Sequence, residues 1–284
     1  MTARDVLVRL LDRPLGRNLL ASITNAHARR LNGSTALRVF YDYDLHSWGR
    51  AALGETILDG TKLNYYAHDL TITDGMTPWT AAAHRYWFVH YQPRPGDVIL
   101  DIGAEIGSDV PAFAKGVGKD GRVIAVEAHP VTYKLLEATV ARCGFTNVEC
   151  KLLAITESRG EIFIEDASST LSSAISARGV GHRVPGLSMD DLCEELGIGA
   201  IGLVKMNIEG SERDALKGMT KTLGRTRNLV VACHDFRADR GDGEYFRTRA
   251  EVVATLRAAG FTVADPPKNA TVYVRDHVHA WRAG

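Results

Sequence analysis

Cysteine is scarce in this chain: four residues (Cys143, Cys150, Cys193 and Cys233), with no C-x-x-C pair among them. That spacing argues against a zinc module and a disulfide framework, and it predicts reduced thiols in a reducing compartment. No apolar run approaches the roughly 20 residues that a membrane-spanning helix needs. The start of the chain has no apolar h-region ahead of a small-residue cleavage site, so a cytoplasmic location is expected. An excess of one charge is lacking too. The 34 Lys and Arg residues balance 34 Asp and Glu residues, which leaves no global field to attract nucleic acid. Internal repeats and low-complexity tracts are absent. What is present is 284 residues with 45% hydrophobic content, enough for a sizeable core in one or two domains.

The most telling stretch is 98–107, VILDIGAEIG, followed by RVIAVE at 122–127. A β-branched run ends in a glycine bend, a helical segment follows, and a second apolar run ends in an acid. This pattern opens a nucleotide-binding βαβ unit. Glu127 stands twenty residues beyond Gly107, where a carboxylate reaches a ribose diol. Counting from Gly103, a dinucleotide fingerprint would place its second and third glycines at Glu105 and Ser108, so the pyrophosphate cradle is missing. Asp101 and Glu105 would also repel phosphate. An acidic loop suits an adenosine ligand with an ammonium and a sulfonium but no phosphate, and S-adenosylmethionine (SAM) is that ligand. The missing glycines argue against a nicotinamide oxidoreductase. The bland alternative is a strand-turn-helix without a ligand.

Residues 1–75 read differently from 76–284. Helical apolar spacing runs over 5–11 and 17–31, and six arginines face two aspartates in the first 31 residues. Such a basic start serves either as a helical cap on the main domain or a partner subunit, or as a contact with an anionic membrane surface. Short strands and turns are expected over 37–73, and a helix over 78–90 with Pro78 at its first position. From the turn at 92–97 onward, strands and helices alternate. Strands are predicted at 98–102, 122–126, 148–155, 201–208, 228–233, 261–264 and 271–275, with a hairpin arm at 161–165. Helices are predicted at 107–117, 130–143, 188–196, 211–223 and 247–259. Alternation of this kind implies a doubly wound, mostly parallel α/β sheet with ligands at the strand C-termini. The serine-rich stretch 165–185 and the polar loop 237–243 read as segments over the site, the first as a lid.

Four segments carry a resemblance: DIGAEIG at 101–107, VEAHP at 126–130, LSMDDL at 187–192 and LVKMNIEGSE at 203–212. Together they resemble the FkbM-type SAM-dependent methyltransferases, within the Rossmann-like methyltransferase class. The resemblance covers roughly 95–265 and implies a seven-stranded Rossmann-like sheet and SAM as cofactor. It also implies transfer of a methyl group to a hydroxyl on a sugar, glycolipid, polyketide or other secondary metabolite. Two positions depart from the family pattern. Glu105 stands where the family has Asn, and Asn207 stands where it has Asp, which makes a divalent metal less favoured. A homo-oligomer is compatible with the sequence. N-methylation of an amine and a non-catalytic SAM-binding subunit are the alternative functions.

Roles then attach to residues. Gly103 and Gly107 shape the loop, Glu105 lines it, and Asp101 receives the methionine ammonium directly or through water. Glu127 accepts hydrogen bonds from the ribose hydroxyls. Ala128 and His129 are candidates for the adenine wall, and Ala154 borders the purine, with Thr156 near its edge. Asn207, Glu209 and Glu212 end the fourth strand at the methyl-transfer position. One of the two glutamates positions the acceptor hydroxyl or acts as base while the other holds the loop. Lys205, inside that strand, is expected to pair with a carboxylate. His234 is the preferred general base, oriented by Asp235 or Glu209, because an imidazole titrates near neutrality.

Overall fold

The computed structural model describes residues 86–165, 181–264 and 274–282, with 83, 84, 179 and four short strands between 38 and 69. The helices expected at 5–11 and 17–31, most of 76–85 and the bulk of the proposed lid lie outside the described residues, as do the N-terminal cap and membrane-contact expectations. The chain divides into two units, Met1–Trp79 with Ala141–Gly144, and Thr80–Val140 with Phe145–Gly284. In the first, Arg38–Val39 pairs antiparallel with His68–Asp69, and Thr56–Leu58 with Thr61–Leu63. These pairs lie within 37–73, where the sequence predicts short strands.

Among its described residues, the second unit carries ten strands. They are β1 (Val98–Ile102), β2 (Arg122–Glu127), β3 (Val148–Leu152), β4 (Ala154–Ile155), β5 (Gly160–Ile164), β6 (His182–Leu187), β7 (Ile201–Met206), β8 (Thr226–Ala232), β9 (Thr262–Val263) and β10 (His277–Trp281). Seven of them form one sheet in the order β9-β10-β8-β7-β1-β2-β3. The pairings from β8 through β3 are parallel, and β10 runs antiparallel to both β8 and β9. The helices are α1 (Val110–Val117), α2 (Pro130–Cys143), α3 (Met189–Glu195), α4 (Glu212–Lys217), α5 (Thr220–Gly224), α6 (Asp235–Asp239) and α7 (Arg249–Ala258).

Strand side chains alternate between two buried layers. Leu100, Ile102, Ile124, Val204 and Met206 pack with Leu192, Leu216 and Leu256 on one face. Ile99, Val123, Leu203 and Val230 pack with Trp87, Phe88, Phe113 and Val117 on the other. Burial on both faces explains why these strands read as continuous apolar runs rather than alternating ones. Each buried aliphatic side chain contributes roughly 1.5–3 kcal/mol. Asp101 and Lys205 are buried charged residues within these strands, and they are register partners on neighbouring strands.

Several expected boundaries shift for physical reasons. The helix expected from 107 starts at Val110, because Gly107 has φ +85°. The strand expected over 148–155 splits at Leu153, and β4 joins β6 in a separate three-stranded sheet. The helix expected over 211–223 breaks into α4 and α5. The Gly218 carbonyl accepts the Asp190 N–H at 3.0 Å, and the Asp190 carboxylate then caps α5 by accepting the Lys221 and Thr222 N–H groups at 2.9 and 2.7 Å. The end of the expected lid, 182–185, belongs to a strand that continues to Leu187, and 235–239 at the edge of the expected polar loop are helical. Of the helix expected at 78–90, residues 83, 84 and 86 are helical and 87–90 turn away. Of the strand expected at 271–275, residues 271–273 lie outside the described residues and 274–275 form a turn, while a strand stands at His277–Trp281. Within it, His277 stacks on Trp87 at 5.2 Å. Burial pushes the His277 imidazole down to about 3 and that of His279 down to about 4, so both are neutral core rings.

Candidate functional site

The strand order reverses between β1 and β7, and their C-terminal ends open onto a cleft. The backbone there is closely packed. Gly103 has φ +76°, and a Cβ at that position would lie 2.0 Å from the Asn207 carbonyl oxygen, so only glycine fits. Below the loop, the Lys205 ammonium donates to the Gly103 carbonyl at 2.7 Å and faces the Asp101 carboxylate at 2.8 Å. Burial pushes the Lys205 amine down, but Asp101 and Asp109 outweigh it and raise it above its ordinary value. Trp87 lies 5.3 Å from the same ammonium. Asp101 is therefore engaged beneath the loop and does not line the cleft, so direct capture of a methionine ammonium, as read from sequence, is not available to it.

At the end of β2, the Glu127 carboxylate is oriented by two backbone donors. The His129 N–H reaches one oxygen at 2.8 Å and the Glu105 N–H the other at 3.0 Å. Burial lifts Glu127 to about 6, against those two hydrogen bonds. Glu105 is lifted further, to about 8, by burial and then by the nearby carboxylates of Glu127, Asp109 and Glu209, while Lys205 pulls the other way. The cleft also gathers Ala128 and Ala154, with Leu153, Ile155 and Ile164 as an apolar wall. The His129 ring is buried edge-on against His182 at 5.0 Å and does not line the cleft. The Thr156 hydroxyl donates to the Ser158 carbonyl at 2.8 Å.

The opposite wall holds Asn207, Ile208, Glu209 and Ser211. Glu105 and Glu209 share left-handed backbone, φ +51° and +52°. That conformation costs a non-glycine residue about 1–2 kcal/mol and concentrates at functional sites. Behind Glu209 stands a charge ladder. His234 Nε2 lies 3.1 Å from Glu209 and Nδ1 lies 3.3 Å from Glu212, while Arg237 donates to the other Glu209 oxygen at 2.5 Å. Burial disfavours the imidazolium, but Glu209 and Glu212 overcome it and raise His234 to about 10. Burial also raises the Glu209 carboxyl, but His234 and Arg237 outweigh that and hold it below the usual carboxylate range. Glu212 accepts the Gly210 N–H at 3.0 Å and so ties down the loop.

This corrects the expectation for His234. A charged ring with both nitrogens facing carboxylates has no free lone pair for a hydroxyl proton. Asp235 does not orient it either. Its carboxylate accepts the N–H groups of Thr248 and Arg249, both at 3.0 Å, and caps α7. Asp235→Ala is expected to cost about 1–2 kcal/mol in urea unfolding with SAM affinity unchanged. A large loss of affinity without loss of stability would place Asp235 in the site after all.

Of the residues singled out in sequence, the cleft brings together Gly103, Glu105, Glu127, Ala128, Ala154, Asn207 and Glu209. Asp101, Gly107, His129, Glu212, His234 and Asp235 stand behind it. Arg237 entered the sequence reading only as part of the polar loop over the site, without a role of its own. It also bridges to Asp242 at 2.9 Å and lies 3.8 Å over the Phe246 ring, a pairing across several turns of chain with no local signal. Among the described residues, no group of three His, Cys, Asp or Glu side chains could hold a metal ion, and no helix is long and apolar enough to cross a membrane.

The cleft fits SAM on its own chemistry. It has a carboxylate pre-oriented for a diol, an apolar wall for a purine, acidic groups for a cation, and the Asn207 Oδ1, which is buried without a hydrogen-bond partner among the described residues. Residues 101–263 match the methyltransferase FkbM domain. The 31-O-demethyl-FK506 methyltransferase FkbM of Streptomyces tacrolimicus is 31% identical over 204 residues, covering 60% of this chain and 74% of that protein. The hexuronic acid methyltransferase AglP of Haloferax volcanii is 27% identical over 140 residues, 49% of this chain and 56% of that protein. A crystal structure of methyltransferase FkbM from Methylobacillus flagellatus KT shares 16% identity at a TM-score of 0.49, over 72% of this chain and 48% of that chain. The chain thus spans about three quarters of the Streptomyces relative and about half of the other two. It belongs to the FkbM family of SAM-dependent methyltransferases.

Proposed function

We propose that this methyltransferase acts on a hydroxyl group, carried by a sugar, a glycolipid or another secondary metabolite, and that Glu209 receives that hydroxyl. The observation that carries the reading is the Glu209 carboxylate: it lines the cleft, and His234 and Arg237 keep it anionic. When bound, SAM supplies an electrophilic methyl on a sulfonium. Glu127 would hold the ribose diol, Ala128 and Ala154 would flank the purine, and Asn207 would offer its amide oxygen beside Glu209. An alcohol proton becomes acidic only as its oxygen gains the methyl as a third substituent, so a carboxylate of low basicity suffices to accept it late. Orientation of the hydroxyl supplies most of the remaining acceleration. Substrates named for two relatives, 31-O-demethyl-FK506 and hexuronic acid, support an oxygen-rich acceptor.

The test is methyl transfer from labelled SAM to hexuronic acids, neutral sugars, glycolipids, macrolide alcohols and amines of matched size. Turnover is expected with a hydroxyl acceptor, and Glu209→Gln is expected to lower kcat about 100-fold with SAM affinity retained. Turnover confined to amines, or a Gln variant with unchanged kcat, would overturn the reading.

A further inference from the structure

We infer that Glu105 sets the preference of this site for the cationic cofactor over its neutral product, S-adenosylhomocysteine (SAH). The inference rests on the proposed arrangement of the cleft, with the ribose at Glu127 and transfer at Glu209. Glu105 lines the cleft, and its backbone N–H is fixed on Glu127 at 3.0 Å. It shares the lining of the cleft with both Glu127 and Glu209. The cofactor's sulfur is bonded to the ribosyl carbon on one side and bears the transferable methyl on another. With its ribose at Glu127 and its methyl directed to Glu209, a bound cofactor would hold its sulfur between the two, in the cleft that Glu105 also lines.

SAM and SAH share the adenosine, the ammonium and the carboxylate. They differ in one methyl group and one positive charge at sulfur. Glu127 meets groups common to both, so it cannot tell them apart. A carboxyl beside the sulfur can. In the unliganded cleft Glu105 is held near neutral, lifted to about 8 by burial first and then by Glu127, Asp109 and Glu209, with Lys205 opposing. A neutral carboxyl tolerates SAH without an unpaired charge. An arriving sulfonium favours the carboxylate, and the displaced proton leaves to solvent. SAM binding below about pH 8 is then coupled to proton release, and SAH binding is not. Preference for SAM rises with pH up to that value and then levels off.

Titration calorimetry of the full chain at pH 7, in buffers of different ionisation enthalpy, counts the protons. SAM is expected to release close to one more proton than SAH. Glu105→Gln is expected to abolish that difference and to shrink the SAM-over-SAH preference about tenfold, leaving SAH affinity nearly unchanged. Glu105→Asn, a residue that accepts left-handed backbone more readily, is expected to do the same, and SAH binding reports that either variant is folded. Equal proton counts for SAM and SAH in the unaltered chain would overturn the inference whatever the variants do. Failure of the unaltered chain to bind either ligand would instead remove the cofactor-site reading, and the inference with it.

Discussion

Lys205→Met is expected to destabilise the protein by about 3–5 kcal/mol, read as a lowered urea midpoint, and to weaken SAM binding as well. The reason lies in what the ammonium holds. Asp101 is 0% exposed and Lys205 is 2% exposed, both within an apolar layer of the sheet. Removing the cation leaves the Asp101 carboxylate buried without its counter-charge, the costly way to break such a pair. It also strips the Gly103 carbonyl of its donor at the point where the loop approaches Asn207 most closely. A double variant separates the two consequences. Asp101→Val with Lys205→Met replaces the pair by apolar side chains and is expected to recover most of the stability. The weakened SAM affinity should remain, because the Gly103 carbonyl still lacks a partner. A Lys205→Met chain within about 1 kcal/mol of the unaltered one would show that the pair contributes little.

What the sequence disclosed follows from the range of the physics involved. The strand at 98–102 and the helix at 130–143 coincide with the observed elements because hydrophobic periodicity and breakers act over a few residues. Glu127 was legible for the same reason: its distance from the glycine loop is set by one strand-turn-helix unit. Lys205 was legible only in kind. A lysine inside a buried strand must pair, but the register that selects Asp101 belongs to the sheet. His277 of β10 is held by Trp87, which stacks on it from more than 180 residues away, a contact that no local pattern records. Asp235 sits beside His234 in sequence, yet its carboxylate is drawn to the open N–H groups of α7. Residue types at the strand ends were visible, whereas their partners and charge states were set by chain assembly.

His234 shows how far a charge state can alter a role. A free imidazole acting as base would give activity that climbs through its ordinary value of 6.5. The ring instead lies between two carboxylates that raise it to about 10 and so favour the imidazolium. Activity is therefore expected to be flat through neutral pH. Its acid limb should lie below the usual 4.5 of a glutamate, because Glu209 is held low, and its alkaline limb should lie near 10. His234→Gln keeps a hydrogen-bonding amide and removes the charge. Glu209 then retains only Arg237 as a cationic partner, so its carboxyl rises and the acid limb moves upward. At neutral pH kcat is expected to fall about 10- to 100-fold, with SAM affinity changed far less. Stability provides a second readout with a definite sign. A group whose folded value is raised contributes fully below its unfolded value of 6.5 and loses that contribution as pH rises to about 10. The stability gap between the unaltered chain and His234→Gln should thus be widest at or below pH 6.5. Above that it should narrow by about 1.4 kcal/mol per pH unit. If activity instead rises through pH 6.5 and that limb vanishes in His234→Gln, the imidazole is the base, and Glu209 serves only to hold it.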